Sequence, residues 1–232
     1  MKRRFSYALT AGILSSGIPD RIMGRKGIGW LRPTVFAAFG YVLGRQADEL
    51  AELSETDPLT RLLNARGFAT RLQAEIQRAR RYREPLSLLF LDLDGLKVIN
   101  DKFGHRAGSQ ALREAAAVIR GELRETDTGA RWGGDEFTVI APNTNKDPAT
   151  LFAERIRAGI AEHVTEWPLT ASIGIATLDW EVTQVETVPD AQALLRDADA
   201  AMYEAKRRGK NKVVANVIVG RPEHQEQVAS YS

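Results

Sequence analysis

The chain of 232 residues contains no cysteine, which excludes disulfides and thiolate metal sites. Its three histidines are scattered, and that argues against a histidine-rich zinc centre. Net charge is small, +2, and no basic stripe runs along the chain, so a DNA- or RNA-binding role is not expected. Uninterrupted apolar runs are short as well. The apolar stretches Phe5–Pro19 and Ile28–Gly44 each fall below the roughly 20 residues a membrane-spanning helix needs, and Arg32-Pro33 interrupts the second.

What charge there is lies unevenly. Residues 1–50 carry eight Lys/Arg against three Asp/Glu, a net of +5, which leaves −3 for the rest. The first 44 residues therefore read either as a contact with a membrane surface or as an amphipathic helix pair packed on a partner chain. From Thr34 to Glu55, Phe36, Leu43, Leu50 and Leu53 recur at heptad-like spacing, the pattern of a dimerising stalk or of an ordinary amphipathic helix. Residues 1–54 are thus expected to form an N-terminal helical segment and linker, 55–219 a globular domain, and 220–232 a polar tail.

Within the globular part the elements alternate. Residues 56–72 begin with Asp57-Pro58 and describe a turn entering a helix. Leu86–Leu93 is a continuous apolar run, the mark of a buried central strand. Ala107–Leu123 is expected to be helical, and Thr128–Trp132 with Phe137–Ala141 to form a hairpin. A helix over Ala149–His163 should turn Leu151, Ile156 and Ile160 inward. A strand over Leu169–Ala176, a helix over Ala191–Arg208 and a strand over Lys212–Val219 complete the order. That order predicts an α/β (α+β) fold, a ferredoxin-like or split βαβ sheet with helices on one face.

Two acidic motifs carry the chemistry. Asp92 and Asp94 end the apolar strand, and period-two geometry puts them on one face. Carboxylates at the edge of an apolar core are costly unless a cation or hydrogen-bond donors satisfy them, although a strand-end acid can also cap a following helix. Gly133-Gly134-Asp135-Glu136-Phe137 forms the second motif, a tight glycine turn that a bulky ligand can approach, with acid groups at its edge. Hard oxygen ligands from two adjacent strands suit magnesium and two-metal phosphoryl transfer. After the first motif, the backbone N–H groups of Gly95 and Leu96 open a turn able to cradle phosphate. Near the C-terminus, Lys206 and Lys210 stand four apart on what reads as one helix face, with Gly209 as its cap. Alone, this segment is a solvated basic helix end.

The string Gly133–Phe137 resembles the signature loop of the GGDEF family, the diguanylate cyclases. With Asp92–Asp101 upstream and Asp57–Phe68 leading in, the resemblance covers residues 55 to 217. Arg61 and Ala65 depart from the leading motif. The resemblance implies a palm-type domain, a central mixed antiparallel sheet flanked by helices, that condenses two GTP into cyclic di-GMP. It implies Mg2+ (or Mn2+), two ions per active site, held by Asp92, the Leu93 carbonyl, Asp135 and Glu136. Asp92, Asp135 and Glu136 become the catalytic residues, Glu136 as a further ligand or as the group that helps deprotonate the attacking hydroxyl, with Asp94 in support. Gly95, Leu96, Gly133, Gly134, Lys206 and Lys210 become substrate contacts, the two lysines to the β- and γ-phosphates. A homodimer is implied, because each chain holds one nucleotide. So is a bacterial cytoplasmic location, at the inner membrane if residues 1–44 touch lipid.

Asn100 aligns with the residue that reads the guanine edge. Ser109 stands where the family has aspartate. A carboxylate there would accept from guanine N1–H and N2–H₂ and be left unpaired by adenine, whereas a hydroxyl serves either purine. Serine resembles the hybrid promiscuous subgroup, which makes cyclic AMP-GMP from GTP and ATP. Arg124 and Asp127 match the RxxD product-inhibition motif in spacing, and Arg155 falls where its second arginine is expected. A surface ion pair is the plain alternative. Two other functions stay open, a catalytically silent cyclic-dinucleotide receptor and a mononucleotide cyclase. The intact Asp92, Asp135, Glu136 and Lys206 argue against the first, and Asn100 with the RxxD motif against the second.

Overall fold

The computed structural model describes residues 54–164, 167–179 and 190–218. The expectations for the N-terminal segment, its stalk and the tail after Gly220 fall outside these residues.

The short strand β1 (Leu63–Asn64) leads into α1 (Ala65–Tyr82). Asn64 caps that helix, its side chain accepting from the Gly67 N–H at 2.9 Å. Then come β2 (Leu86–Asp94), α2 (Leu96–Phe103), α3 (His105–Glu122), β3 (Thr128–Arg131) and β4 (Glu136–Pro142). The chain continues through α4 (Lys146–His163), β5 (Thr170–Leu178), α5 (Ala191–Arg207) and β6 (Val213–Ile218). Six strands form one sheet in the order β1-β3-β4-β2-β5-β6. The four inner strands pair antiparallel, while β1 and β6 join at the edges in parallel. This is the split arrangement expected, with β2 at its centre.

Every residue of β2 is buried, and its two faces meet different helices. Leu89, Leu91 and Leu93 pack with Ile99, Ala115, Ile119 and Ile156 of α2, α3 and α4. Leu86, Leu88 and Phe90 pack with Phe68, Leu72, Leu194 and Met202 of α1 and α5. Helices therefore cover both faces rather than the one expected. A strand buried at every position, with leucine or phenylalanine on both faces, cannot leave a face in water.

Two further differences follow from helical phase. Leu151 is 67% exposed, not inward; the buried stripe of α4 is Ala149, Phe152, Ala153, Ile156 and Ile160. The eight-residue α2 was read only as a turn, because Gly95 and Gly104 bracket a segment too short for a clear period.

Candidate active site

Strand pairing brings the two acidic motifs together. Asp92 lies directly opposite Glu136 across the β2–β4 ladder, and the Leu93 N–H donates to the Asp135 carbonyl at 3.1 Å. Opposed residues of an antiparallel pair share a sheet face with their Cβ atoms about 5 Å apart, so like charges there repel. Burial pushes the Asp92 carboxyl above its usual range, over the opposing pull of Lys206, with Asp135 and Asp94 adding to the rise. Burial likewise raises Glu136, followed by repulsion from Asp92, Asp135 and Asp199. The Lys206 ammonium, reaching over from α5, sits 2.7 Å from Asp92 Oδ2.

Such a set fits a hard divalent cation, since three mutually repelling carboxylates gain from added positive charge. Among the described residues, no three Asp, Glu, His or Cys side chains stand close enough to hold a metal ion by themselves, so a cation here would need backbone and substrate oxygens as well. Asp94 plays another part. It accepts from Thr170 Oγ1 at 3.1 Å, from Ser172 Oγ at 3.0 Å and from the Asn211 N–H at 3.1 Å. Leu93 is 2% exposed and its side chain packs into the core beneath the acidic strand end.

The repulsion makes a stability prediction. Glu136 has its carboxyl raised in the fold, so its ionised form opposes folding. That penalty is absent below the unfolded value and complete above the folded one, so stability falls as pH rises through the interval. Glu136→Gln should therefore melt above wild type at pH 7 in metal-free buffer, the gap closing below about pH 4. A variant that melts lower at pH 7, followed by circular dichroism, contradicts this account.

The signature turn is braced from three sides. The N–H groups of Trp132 and Gly133 donate to the Glu136 carbonyl at 2.9 and 3.3 Å. Trp132 meets Phe68 and Phe90 edge-on, with ring centroids 5.7 and 6.1 Å away. Arg131 donates through Nη2 to the Gly134 carbonyl at 2.6 Å and pairs with Asp57 at 3.3 Å. The leading motif thus supports the turn through Asp57. A Cβ on Gly133 would fall 2.6 Å from Glu136 Oε2, so the glycine leaves room for that carboxylate.

Beside the turn lies a cleft of ≈ 410 Å³ between α2 and α3. Asn100, Ser109 and Leu96 line it with Gly134 and Asp135, so the base-reading and acidic residues share one wall. A Cβ on Gly108 would coincide with Oδ1 of Asn100, so this glycine lets the amide lie flat across α3. Lys97, Asp101, His105, Leu112 and Arg131 also line the cleft, and sequence reading missed them. Their signal is the spacing 97/100/101 and 105/108/109/112, visible once both segments are known to be helices. Gly95, in the left-handed region at φ 94°, opens α2, and no side chain caps that end.

Two expectations change. Lys206 and Lys210 do not share a helix face, because α5 ends at Arg207 and Lys210 sits on the turn beyond. Arg155 is on α4 as expected, but its Nε pairs with Glu122 at 2.8 Å and its guanidinium stands 5.4 Å over the Phe152 ring. Asp127 accepts from the Arg124 N–H at 2.9 Å, while its Oδ1 is buried with no partner among the described residues. Burial raises the Asp127 carboxyl, against the opposing influence of Arg124 and Arg155.

A split βαβ sheet with carboxylates on adjacent strand ends and a cleft alongside defines a palm-type α/β domain. The family model described as "Diguanylate cyclase, GGDEF domain" matches residues 54–212, and the chain belongs to the GGDEF family. It is 35% identical over 173 residues to diguanylate cyclase A of Treponema denticola, covering 71% of this chain and 45% of that protein. It is 38% identical over 177 residues to the response regulator PleD of Caulobacter vibrioides, covering 74% and 38%. The chain therefore spans less than half the length of these relatives. Among solved structures, the GGDEF domain of DgcB from Caulobacter crescentus with c-di-GMP superposes at a TM-score of 0.63 with 30% identity, over 69% of this chain and 92% of that one.

Proposed function

We propose that the chain is a dinucleotide cyclase that condenses two GTP into cyclic di-GMP and, through Ser109, GTP with ATP into 3′,3′-cyclic AMP-GMP. The observation that carries this reading is the double membership of Asp135. It lines the cleft with Asn100 and Ser109, and it is a charge neighbour of both Asp92 and Glu136. A purine held by Asn100 therefore extends its phosphates toward the acidic strand ends.

In each half-reaction a 3′-hydroxyl oxygen bonds to the α-phosphorus of the other nucleotide, and the bond to pyrophosphate breaks. Asp92, Asp135 and Glu136 with the Leu93 carbonyl would hold Mg2+ or Mn2+, which when bound neutralises the developing phosphate charge. Lys206 and Lys210 bind the outer phosphates, and the turn at Gly95–Leu96 cradles them. Glu136 ligates the ion or receives the hydroxyl proton. Each chain brings one nucleotide, so two chains must face each other. Residues 1–54 control that pairing as a dimerising stalk or serve as an anchor, with residues 1–44 the segment that would meet a membrane surface; residues 55–219 perform catalysis. A silent receptor would need none of the Asp92, Asp135, Glu136 and Lys206 contacts. Among the described residues, no helix is long and apolar enough to cross a membrane.

Chromatography of products formed from GTP, ATP or both with magnesium tests the assignment; absence of any cyclic dinucleotide overturns it. Product binds at Arg124, Asp127 and Arg155, where two guanidiniums can fork onto guanine and phosphate and the carboxylate can accept from a guanine edge. Arg124→Ala should relieve inhibition by cyclic dinucleotide about tenfold or more with little change in initial rate. An inhibition curve identical to wild type removes this site.

A further inference from the structure

The turn after α5 holds three consecutive residues in left-handed backbone, Gly209 at φ 106°, Lys210 at 63° and Asn211 at 46°. Glycine adopts this region freely, but lysine does so at a cost, and adjacent left-handed residues persist only where their surroundings over-determine them. Here the surroundings do so from three directions. The Gly209 and Lys210 N–H groups each donate at 3.2 Å to the Lys206 and Ala205 carbonyls, a Schellman closure of α5. The Asn211 N–H donates to Asp94, itself held by Thr170 and Ser172. Last, Arg157 of α4 donates through Nη1 to Asn211 Oδ1 at 2.8 Å.

Arg157 is well set for this. Its Nε donates to Glu154 Oε2 at 2.6 Å, one turn earlier on α4, which fixes the guanidinium plane and leaves Nη1 for Asn211. The first two holds belong to the helix end and the strand ends. The third is a side-chain contact from a separate element to the residue after Lys210, and closing the helix does not require it.

We propose that Arg157 and Asn211 are positioning residues for Lys210, fixing the strained turn so that this lysine meets the outer phosphates of the nucleotide. The inference rests on the reading of Lys210 as a phosphate contact. Neither residue touches substrate; both act through the backbone that carries Lys210.

Asn211→Gly is the cleanest probe. Glycine tolerates φ 46° and keeps the N–H to Asp94, so only the Oδ1 acceptor is lost. Arg157→Ala removes the same bond from the other side, and the guanidinium it deletes lies outside both core clusters. Calorimetry of the full chain with magnesium would compare a non-hydrolysable GTP analogue with GMP, which lacks the outer phosphates. Both variants should bind the analogue about five- to tenfold more weakly and GMP as wild type does. Asn211→Gly combined with Lys210→Ala should be no weaker than Lys210→Ala alone. Wild-type analogue affinity in both single variants, with a loss in Lys210→Ala, overturns the positioning role and leaves the phosphate contact standing. Equal losses for GMP and the analogue also overturn it, since a general structural effect weakens both. No loss in Lys210→Ala removes the phosphate contact and the inference together, while GMP binding still reports on the nucleotide cleft.

Discussion

Asp135→Asn should give a folded protein that forms cyclic dinucleotide at least a thousandfold more slowly than wild type. The side chain stands on the signature turn, outside both core clusters. The turn is held by backbone and by Arg131, Trp132 and Gly133, none of which involves the Asp135 carboxylate. Removing its charge relieves Asp92 and Glu136, so the fold should be no less stable. Catalysis is another matter. Charge neutralisation of a transferring phosphoryl group is worth several kcal/mol, and an amide is a poor substitute for a carboxylate toward a hard cation. Initial rates by product chromatography, beside a thermal melt, decide it. Near-normal turnover by the folded variant would remove Asp135 from the catalytic set.

Ser109→Asp should shift output from mixed nucleotides toward cyclic di-GMP by roughly ten- to a hundredfold, the equivalent of about 1–3 kcal/mol for a buried acceptor left unpaired by adenine. Ser109 is well placed for such an effect. It sits one residue after Gly108, over which the Asn100 amide lies, and both line the cleft. With equal GTP and ATP, wild type should release a measurable share of cyclic AMP-GMP. If wild type makes only cyclic di-GMP from that mixture, Ser109 is no selectivity switch, and guanine is held by Asn100 with the remaining cleft groups.

Much of this was legible before the fold was known, because the relevant signals are local. A largely apolar run such as Leu86–Leu93 marks a central strand, and its apolar residues on both faces call for cover on both sides rather than the one expected. A glycine pair followed by Asp135 and Glu136 states its turn and its charge together. Gly209 closes α5 as its type suggests, while the caps Asn64 and Asp190 show themselves only once the helix starts are placed. Less was legible where burial depends on helical phase. Leu151 is apolar yet exposed, since its neighbours Phe152 and Ile156 already fill the stripe that faces the sheet.

The sequence by itself determined the order of the longer strands and helices, the acidic pair at the end of β2 and the glycine turn that answers it. Each depends on residues within a few positions of one another, and local chemistry needs no partner to declare itself. Only the tertiary structure decided which charges meet. Lys206 faces Asp92 because α5 crosses the end of β2; Arg131 reaches Asp57 because β3 pairs with β1; and Arg157 holds Asn211 because α4 packs against β6, the strand that follows the turn. These contacts join residues 54 to 114 positions apart, and nothing in the intervening chain encodes them except the packing of the whole domain.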